Sequence, residues 1–306
     1  MSNVKCQISN DNPVVSIVCV TYNHNPLIRR AMGGFLQQKT DFPFEIILAD
    51  DCSTDGTSAI CDEYAAKHPE LVRSIHSERN VGGVENERRA IEAARGKYIA
   101  TCEGDDYWLD VRKLQKQVDF MEAHPEYSVT WTRYEKYIPS EDRFTTDGNI
   151  DLFMGGKDYT EITTHMFLHR WITQYLTMVF RKDAYDNSWC KMYRYYRDSH
   201  QFYHLLQNGK GAILNFIGGI YRQTGEGVYS DLDHIKRQEI QIAVFKELWH
   251  VNNDERVKEM YEFNIRYLLE QLRKTKGSRM KQIKYAWALF LASRDMKGLM
   301  YNISNL

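Results

Sequence analysis

The stretch Lys97–Trp108 reads KYIATCEGDDYW and joins an apolar run to three carboxylates within four residues. The run Tyr98–Cys102 has the aromatic and β-branched character of a buried strand. Carboxylates clustered at a strand end repel one another, and a divalent cation such as Mg²⁺ or Mn²⁺ that carries a phosphate ligand offsets their charge. The alternative is an acidic loop that caps the following helix.

Upstream of this stretch, short apolar runs alternate with helical stretches. The predicted strands are residues 14–20, 44–49, 72–76 and 98–102, and the predicted helices are residues 27–38, 57–67 and 84–95. Such a pattern predicts an α/β fold with a parallel sheet covered on both faces. Because ligands of these sheets bind at the carboxyl ends of the strands, we expect Thr21–Asn23, Asp50–Asp51 and Glu103–Asp106 along one edge.

The second half of the chain is predicted to be a mixture of strands and helices. Its elements are a helix at 112–123, a strand at 127–138, a polar loop or flap at 139–160, a strand at 177–180, a helix at 199–207 and one or two strands at 212–221. We predict one domain over residues 1–230, divided into a nucleotide-binding half at about 14–110 and an acceptor half at about 111–230. Residues 231–306 are predicted to be a C-terminal helical region.

Composition excludes several classes of protein. The 306 residues are 43% hydrophobic and 26% charged, which is ordinary globular usage. The formal net charge of −1 argues against a nucleic-acid binder with a broad basic face. The polar segment Met1–Pro13 lacks the apolar core of a signal peptide, and no apolar run is long enough to span a bilayer, which predicts a cytoplasmic protein. Six cysteines without a CxxC pair predict reduced structural thiols.

The stretch Ile265–Met300 mixes Lys and Arg with Leu, Tyr, Trp and Phe. This pattern fits a helical cap that packs on its own domain. It also fits an amphipathic helix on a membrane surface, which would place the protein peripherally on the inner face of the membrane.

The end of the first predicted strand offers a place for a flat base. There the backbone around Val20 and the ring of Tyr22 can flank a base, and Asp51, after the second strand, is placed to accept a hydrogen bond from a base N–H. Residues Ser53–Asp55 can cap the next helix, so one of the two acids at 50 and 51 is expected to be structural.

Five motifs stand in the order and spacing of a known family. They are residues 15–23 (VSIVCVTYN), 50–57 (DDCSTDGT), 80–83 (NVGG), 95–99 (RGKYI) and 103–108 (EGDDYW). Over about the first 125 residues the chain resembles the family 2 glycosyltransferases. The resemblance implies a GT-A fold, a nucleotide-sugar donor and an inverting transfer.

By position, the resemblance assigns roles to individual residues. Tyr22 and Asp51 match the base-contacting residues, and Glu103 takes the first acidic place of the family's DxD motif, near the ribose or the metal. Asp105 matches the acid that binds Mn²⁺ or Mg²⁺, and Asp106 serves either the metal or the sugar hydroxyls. Glutamate replaces the usual first aspartate, which keeps the charge and shifts the contact.

An inverting transfer needs a general base for the acceptor hydroxyl. Asp198 precedes a predicted helix and resembles the family's late acidic motif, which makes it the predicted base; a helix cap is the alternative. The segment 220–230 resembles a late Tyr-Arg-x-His motif over the diphosphate. The His of that motif is Thr224 here, so either Arg222, Gln223 or Tyr229 takes its role or the site is looser.

Two further patterns leave alternatives open. Tyr107 and Trp108 fit stacking on a sugar face or burial in the core. His165 with His169, and His200 with His204, have the spacing of helical metal ligands, but no third ligand is evident and zinc is not predicted.

The sequence and the resemblance together predict a glycosyltransferase that moves a hexose or related sugar from a nucleotide-sugar, a UDP-sugar in the first instance. The predicted acceptor is a hydroxyl of a glycan or of a lipid-linked acceptor in bacterial surface polysaccharide synthesis. A sugar nucleotidyltransferase is the enzymatic alternative, although Asn23–Pro26 is not the Gly-rich basic loop that it needs. The alternative that is not an enzyme is a nucleotide-sugar-binding protein without turnover.

Overall fold

The computed structural model describes residues 12–146, 154–169, 173–223, 232–274 and 278–304. These residues form two compact units. The first comprises the described residues up to Cys190 together with residues 201–223, and the second comprises Lys191–His200 with the described residues from 232 onward. The domain limits given above stay a prediction.

The first four strands form the parallel sheet that the sequence predicts. They are β1 (Val15–Thr21), β2 (Phe44–Asp50), β3 (Val72–His76) and β4 (Tyr98–Glu103), in the order β3-β2-β1-β4, and all three pairings are parallel. Both faces of β1 are buried because helices cover the sheet, and this is why the strands are almost continuously apolar.

Beyond β4 the sheet also contains antiparallel strands, although its longest pairing, that of β10 with β6, is parallel. The further strands are β5 (Tyr107–Trp108), β6 (Tyr127–Ile138), β7 (Arg143–Thr146), β8 (Tyr159–Ile162), β9 (Val179–Arg181) and β10 (Lys210–Arg222). Strand β9 lies antiparallel between β4 and β6, and β10 runs parallel to β6. Strands β5 and β8 pair antiparallel with β10, and β7 with β6.

The helices of the described chain follow the predicted positions and add two short ones. Those of the first half are Ile28–Leu36, Thr57–Lys67, Gly83–Ala93 and Lys113–Ala123. The later ones are Thr164–His169, Trp189–Met192, Asp198–Gln207, His234–Asn252, Glu255–Arg273, Arg279–Ser293 and Met296–Ser304. Two of the long C-terminal helices begin at an aspartate whose side chain accepts a backbone N–H, Asp233 and Asp254.

The polar segment 139–160 is not wholly a loop. It contains β7 and the start of β8, which pair with β6 and β10 through backbone hydrogen bonds. Three of the four side chains of β7 are exposed, so the segment lacks the apolar alternation by which sequence reveals a strand. Residues 147–153 lie outside the described chain.

The cysteines of the described chain are free thiols, as predicted, and Cys19, Cys61 and Cys102 are buried. Cys6 lies outside the described residues. Among the described helices, none is both long and apolar enough to cross a membrane.

Candidate functional site

Three parallel strands bring the predicted site residues to one edge of the sheet. Thr21 of β1 lies opposite Asp50 of β2, and Val20 lies opposite Glu103 of β4. The three loops that carry the predicted residues therefore start side by side. The expected gathering of these loops at one edge therefore follows from the pairing register of β1 with β2 and β4.

The loops after β1 and β2 hold each other in place. The backbone N–H of Asn23 donates to Ser53 Oγ at 2.8 Å, and the N–H of Thr54 donates to Asn23 Oδ1 at 2.8 Å. Asn23 has a φ of 55°, in the left-handed region that asparagine tolerates better than most residues. The Tyr22 side chain is 43% exposed at this edge, so one face of a base can reach it.

The neighbouring acids Asp50 and Asp51 have different structural tasks. Asp50 is fully buried and accepts hydrogen bonds from the hydroxyls of Ser53 and Ser58. Asp51 is 2% exposed, and its two oxygens accept the backbone N–H groups of Val81 and Gly82, both at 2.8 Å. Asp50 therefore fixes the loop after β2, and Asp51 fixes the loop after β3. Its contact with a base stays a prediction.

The acidic turn places its carboxylates at different depths. Asp106 is buried, and its Oδ1 accepts the backbone N–H of Arg222 at 2.7 Å. Burial raises the pKa of Asp106 well above its usual range, and the charges of Glu103 and Asp105 raise it further. Asp105 is partly exposed. The turn thus brings three carboxyl groups close together.

The turn approaches the β1 loop so closely that Gly104 has no room for a side chain. A Cβ there would lie 2.7 Å from Thr21 Oγ1 and 2.8 Å from His24 Nδ1. His24 itself faces the acids, with its Nε2 at 4.0 Å from Asp105 Oδ1. Sequence reasoning missed this histidine, although its place directly after the Tyr22-Asn23 motif was a usable signal.

Trp108 belongs to the core, which is the alternative that the sequence left open. Its side chain is 3% exposed, its ring packs edge-on against Phe35 at 4.8 Å, and its indole N–H donates to the carbonyl of Leu176 at 2.8 Å. Tyr107 is also buried, with the Arg30 guanidinium 3.9 Å above its ring. In these positions neither ring offers a free face to a sugar, so the position of Trp108 does not support the predicted donor or acceptor contact.

The donor set fits a hard divalent cation. Among the described residues, no group of three or more His, Cys, Asp or Glu side chains is arranged to enclose a metal ion. Carboxylates at a partly open turn, such as Glu103 and Asp105, instead suit Mg²⁺ or Mn²⁺ ions that take their remaining ligands from phosphate and water.

Asp198 is the first residue of the helix Asp198–Gln207. Its Oδ1 accepts the backbone N–H of Ser199 at 2.9 Å, so part of its role is local. Burial raises the pKa of Asp198 above its usual range. A carboxylate with a raised pKa is a stronger base at neutral pH than an ordinary aspartate.

The histidine pairs do not form a metal centre. The rings of His165 and His169 lie 4.1 Å apart, and His169 Nδ1 is bonded to the backbone oxygen of His165 at 2.8 Å. His204 stacks on Trp189 at 4.6 Å, and burial lowers its pKa to about 4. In the segment 220–230, which was compared with the Tyr-Arg-x-His motif, the structure describes Arg222, whereas Thr224 and Tyr229 lie outside the described residues.

A family model described as glycosyl transferase family 2 matches residues 16–196 of the chain. The chain belongs to this family. The match covers β1 to β9, including the acidic turn, which confirms the resemblance found in the sequence.

Curated relatives of this family 2 glycosyltransferase align with its first half. An uncharacterized protein of Mycobacterium tuberculosis is 50% identical over 115 residues, which are 38% of this chain and 33% of that protein. TuaG of Bacillus subtilis is 33% identical over 149 residues, 46% of this chain and 58% of TuaG; its name provisionally assigns it to teichuronic acid biosynthesis as a glycosyltransferase. The chain thus spans between a third and about three fifths of these relatives.

Solved structures confirm the GT-A fold. TarS of S. aureus, in complex with UDP-GlcNAc, superimposes with a TM-score of 0.62 at 17% identity, covering 95% of this chain and 87% of that chain. The mannosyltransferase PcManGT of Pyrobaculum calidifontis, in complex with GDP-Man and Mn²⁺, gives a TM-score of 0.58 at 17% identity, covering 93% and 74%. At these identities the likeness concerns the fold alone.

Proposed function

We propose that this family 2 glycosyltransferase is an inverting hexosyltransferase that uses a nucleotide-sugar, a UDP-sugar in the first instance. Its acceptor is a hydroxyl of a glycan or lipid-linked glycan in bacterial surface polysaccharide synthesis. The observation that carries the proposal is the acidic turn Glu103–Asp106, set at the same sheet edge as Asp51. The donors bound to TarS and PcManGT, and the name of TuaG, support the donor and the pathway.

The nucleoside is proposed to lie over the ends of β1 and β2. Tyr22 is exposed there for stacking, Val20 contributes backbone at the strand end, and the carboxylate of Asp51 is held rigidly by two amides. Each of its oxygens has a second lone pair, which is proposed to accept a base N–H.

The diphosphate is proposed to lie over the acidic turn. Glu103 and Asp105 would hold Mn²⁺ or Mg²⁺, which neutralises the charge that grows on the departing nucleoside diphosphate. Arg222 is brought to the turn by its backbone bond to Asp106, and its guanidinium, 5.6 Å from the centre of the Tyr137 ring, is proposed to contact a phosphate. Asp106 accepts the Arg222 N–H through Oδ1, and its Oδ2 is proposed to contact the metal or the sugar hydroxyls.

Asp198 is proposed as the general base that takes the proton of the acceptor hydroxyl as that oxygen attacks the anomeric carbon. Its raised pKa supports this role because a base works best when its pKa lies near the operating pH. Family membership favours this transferase reaction over the nucleotidyltransferase alternative. The non-catalytic alternative predicts donor binding without turnover.

The test is sugar transfer by an Asp198→Asn variant with donor binding measured in parallel. We expect turnover to fall by about 10²-fold to 10⁴-fold while the affinity for the nucleotide stays the same. Asp186→Asn is the matched control, because the Asp186 carboxylate likewise accepts a serine N–H, that of Ser188 at 2.7 Å, and is exposed. Unchanged transfer by Asp198→Asn refutes the base assignment.

A further inference from the structure

The helix Arg279–Ser293 carries an apolar stripe on its outward face. Met280, Trp287 and Leu291 are 78%, 47% and 58% exposed. Their spacing of seven and four residues, with the exposed Lys284 between them, places them on one face of the helix. The opposite face is buried and consists of Gln282, Tyr285, Ala286, Leu289 and Ala292.

The stripe continues onto the last helix, Met296–Ser304. There Met296 and Met300 are 56% and 62% exposed, and Tyr301 is exposed beside them with its ring near the Arg273 guanidinium. Single exposed apolar side chains are ordinary on a protein surface, but a row of large ones at helical spacing marks an interaction surface.

The charge around the stripe is mostly positive. Residues 279–300 contain five cations, Arg279, Lys281, Lys284, Arg294 and Lys297, and one carboxylate, Asp295. Lys281 is paired with Glu239 at 3.2 Å, whereas Arg279, Lys284 and Arg294 take part in none of the ion pairs found among the described residues. Lys284 stands within the stripe itself.

The preceding helix, Glu255–Arg273, provides a contrast within the same unit. It also exposes a large apolar side chain, Phe263, at 60%. That helix, however, carries four glutamates, at positions 255, 259, 262 and 270, which balance its four cations, at positions 256, 258, 266 and 273. Its exposed phenylalanine therefore lies on a helix without net charge, whereas the Arg279–Ser293 helix combines exposed apolar side chains with a net positive charge.

We propose that the stripe Met280–Leu291, extended by Met296 and Met300, docks on a lipid surface that carries anionic headgroups. A helix of this kind lies in the plane of the interface with its apolar side chains among the acyl chains and its cations at the headgroups. Trp287 is suited to the headgroup region because its indole is amphipathic, and Lys284 has a stem long enough to extend its ammonium to the phosphates.

A second copy of the chain fits the stripe less well. A two-fold contact places the same patch on both partners, so the cations of one copy would face those of the other. Like charges at an interface oppose association, whereas anionic lipid neutralises them. The inference does not depend on the proposed transfer reaction, because lipid binding is measured without turnover.

Flotation with vesicles of phosphatidylcholine, with and without 30% phosphatidylglycerol, tests the proposal. We expect the wild-type protein to float with the anionic vesicles, to be released by 0.5 M salt, and to remain behind with neutral vesicles. Trp287→Ser/Leu291→Ser and, separately, Arg279→Gln/Lys284→Gln should each lower the partition coefficient by about tenfold or more. Phe263→Ser is the control and should bind as the wild type does.

All substituted side chains are exposed, so the variants should melt at the wild-type temperature, which circular dichroism verifies. Binding that is equal on neutral and anionic vesicles, or that survives the Trp287→Ser/Leu291→Ser change, overturns the proposal. A wild-type protein that does not bind the anionic vesicles also overturns the proposal. If light scattering then shows a wild-type dimer that Trp287→Ser/Leu291→Ser converts to a monomer, the stripe is a contact between two copies of the chain.

Discussion

Lys113 provides a quantitative test of how the core beneath the acidic turn is built. Its side chain is fully buried, and its ammonium lies 4.0 Å from the centre of the Trp108 ring. Within the part of the chain that the structure describes, Nζ has no hydrogen-bond partner. Burial lowers the pKa of Lys113 to about 7, and the electrostatic interactions with Cys102 and Asp110 oppose part of this effect.

The sign of the resulting pH dependence follows from linkage. The unfolded chain keeps the ordinary lysine pKa of about 10.4, so between pH 7 and 10 it binds more protons than the folded protein. The free energy of unfolding therefore rises with pH in this window. At about 1.4 kcal/mol for each unit of pKa, the titration of Lys113 costs about 4 kcal/mol of stability at pH 7 and about 2 kcal/mol at pH 9.

The Lys113→Met variant removes this titration and keeps most of the side-chain volume. Its stability relative to the wild type should therefore decrease by about 2 kcal/mol between pH 7 and pH 9, and any packing difference cancels because it is common to both conditions. Urea unfolding of both proteins at the two pH values measures the change. Lys116→Met is the control on the same helix, where the ammonium is half-exposed and paired with Asp110. A difference between Lys113→Met and wild type that is equal at both pH values refutes the reasoning.

Three further results are expected. Trp108→Phe leaves the buried carbonyl of Leu176 without its donor and should lower the free energy of unfolding by about 1–3 kcal/mol; unchanged urea curves contradict this. Asp51→Ala frees two backbone amides and should weaken nucleoside diphosphate binding by at least about tenfold in calorimetry, whereas wild-type affinity contradicts the role given to the carboxylate. Since the pKa of Asp198 is raised and its ionised form is the base, the acid limb of kcat/KM should lie above about pH 4; a limb at the ordinary aspartate value counts against the assignment.

The sheet edge was predictable from sequence because it depends on a local signal. The limits of the helix Thr57–Lys67 and of β3 and β6 match the prediction, since each segment carries its own periodicity and its own end signals. Once β1, β2 and β4 are parallel neighbours, the loops after them must begin at one edge, and the acids must gather there.

Contacts between residues that are far apart in the sequence were not predicted. Strand β5 is two residues long and exists because it pairs with β10, more than a hundred residues away. The burial of Trp108 depends on Phe35 and Leu176, and the hold on Asp51 depends on the loop that follows β3. The sequence around these residues does not indicate such partners. A residue that contacts a ligand and a residue that belongs to the core therefore cannot be distinguished from the local sequence.

The most direct test of the central claim is donor binding at the acidic turn. We expect Mn²⁺ together with one member of a panel of UDP-, GDP- and dTDP-sugars to raise the melting temperature by about 4 °C at a concentration of 100 times Kd. Asp105→Asn should abolish this shift, and Asp119→Asn, on the neighbouring helix, should keep it. A wild-type protein that responds to no nucleotide-sugar, or an Asp105→Asn variant that responds as the wild type does, contradicts the account.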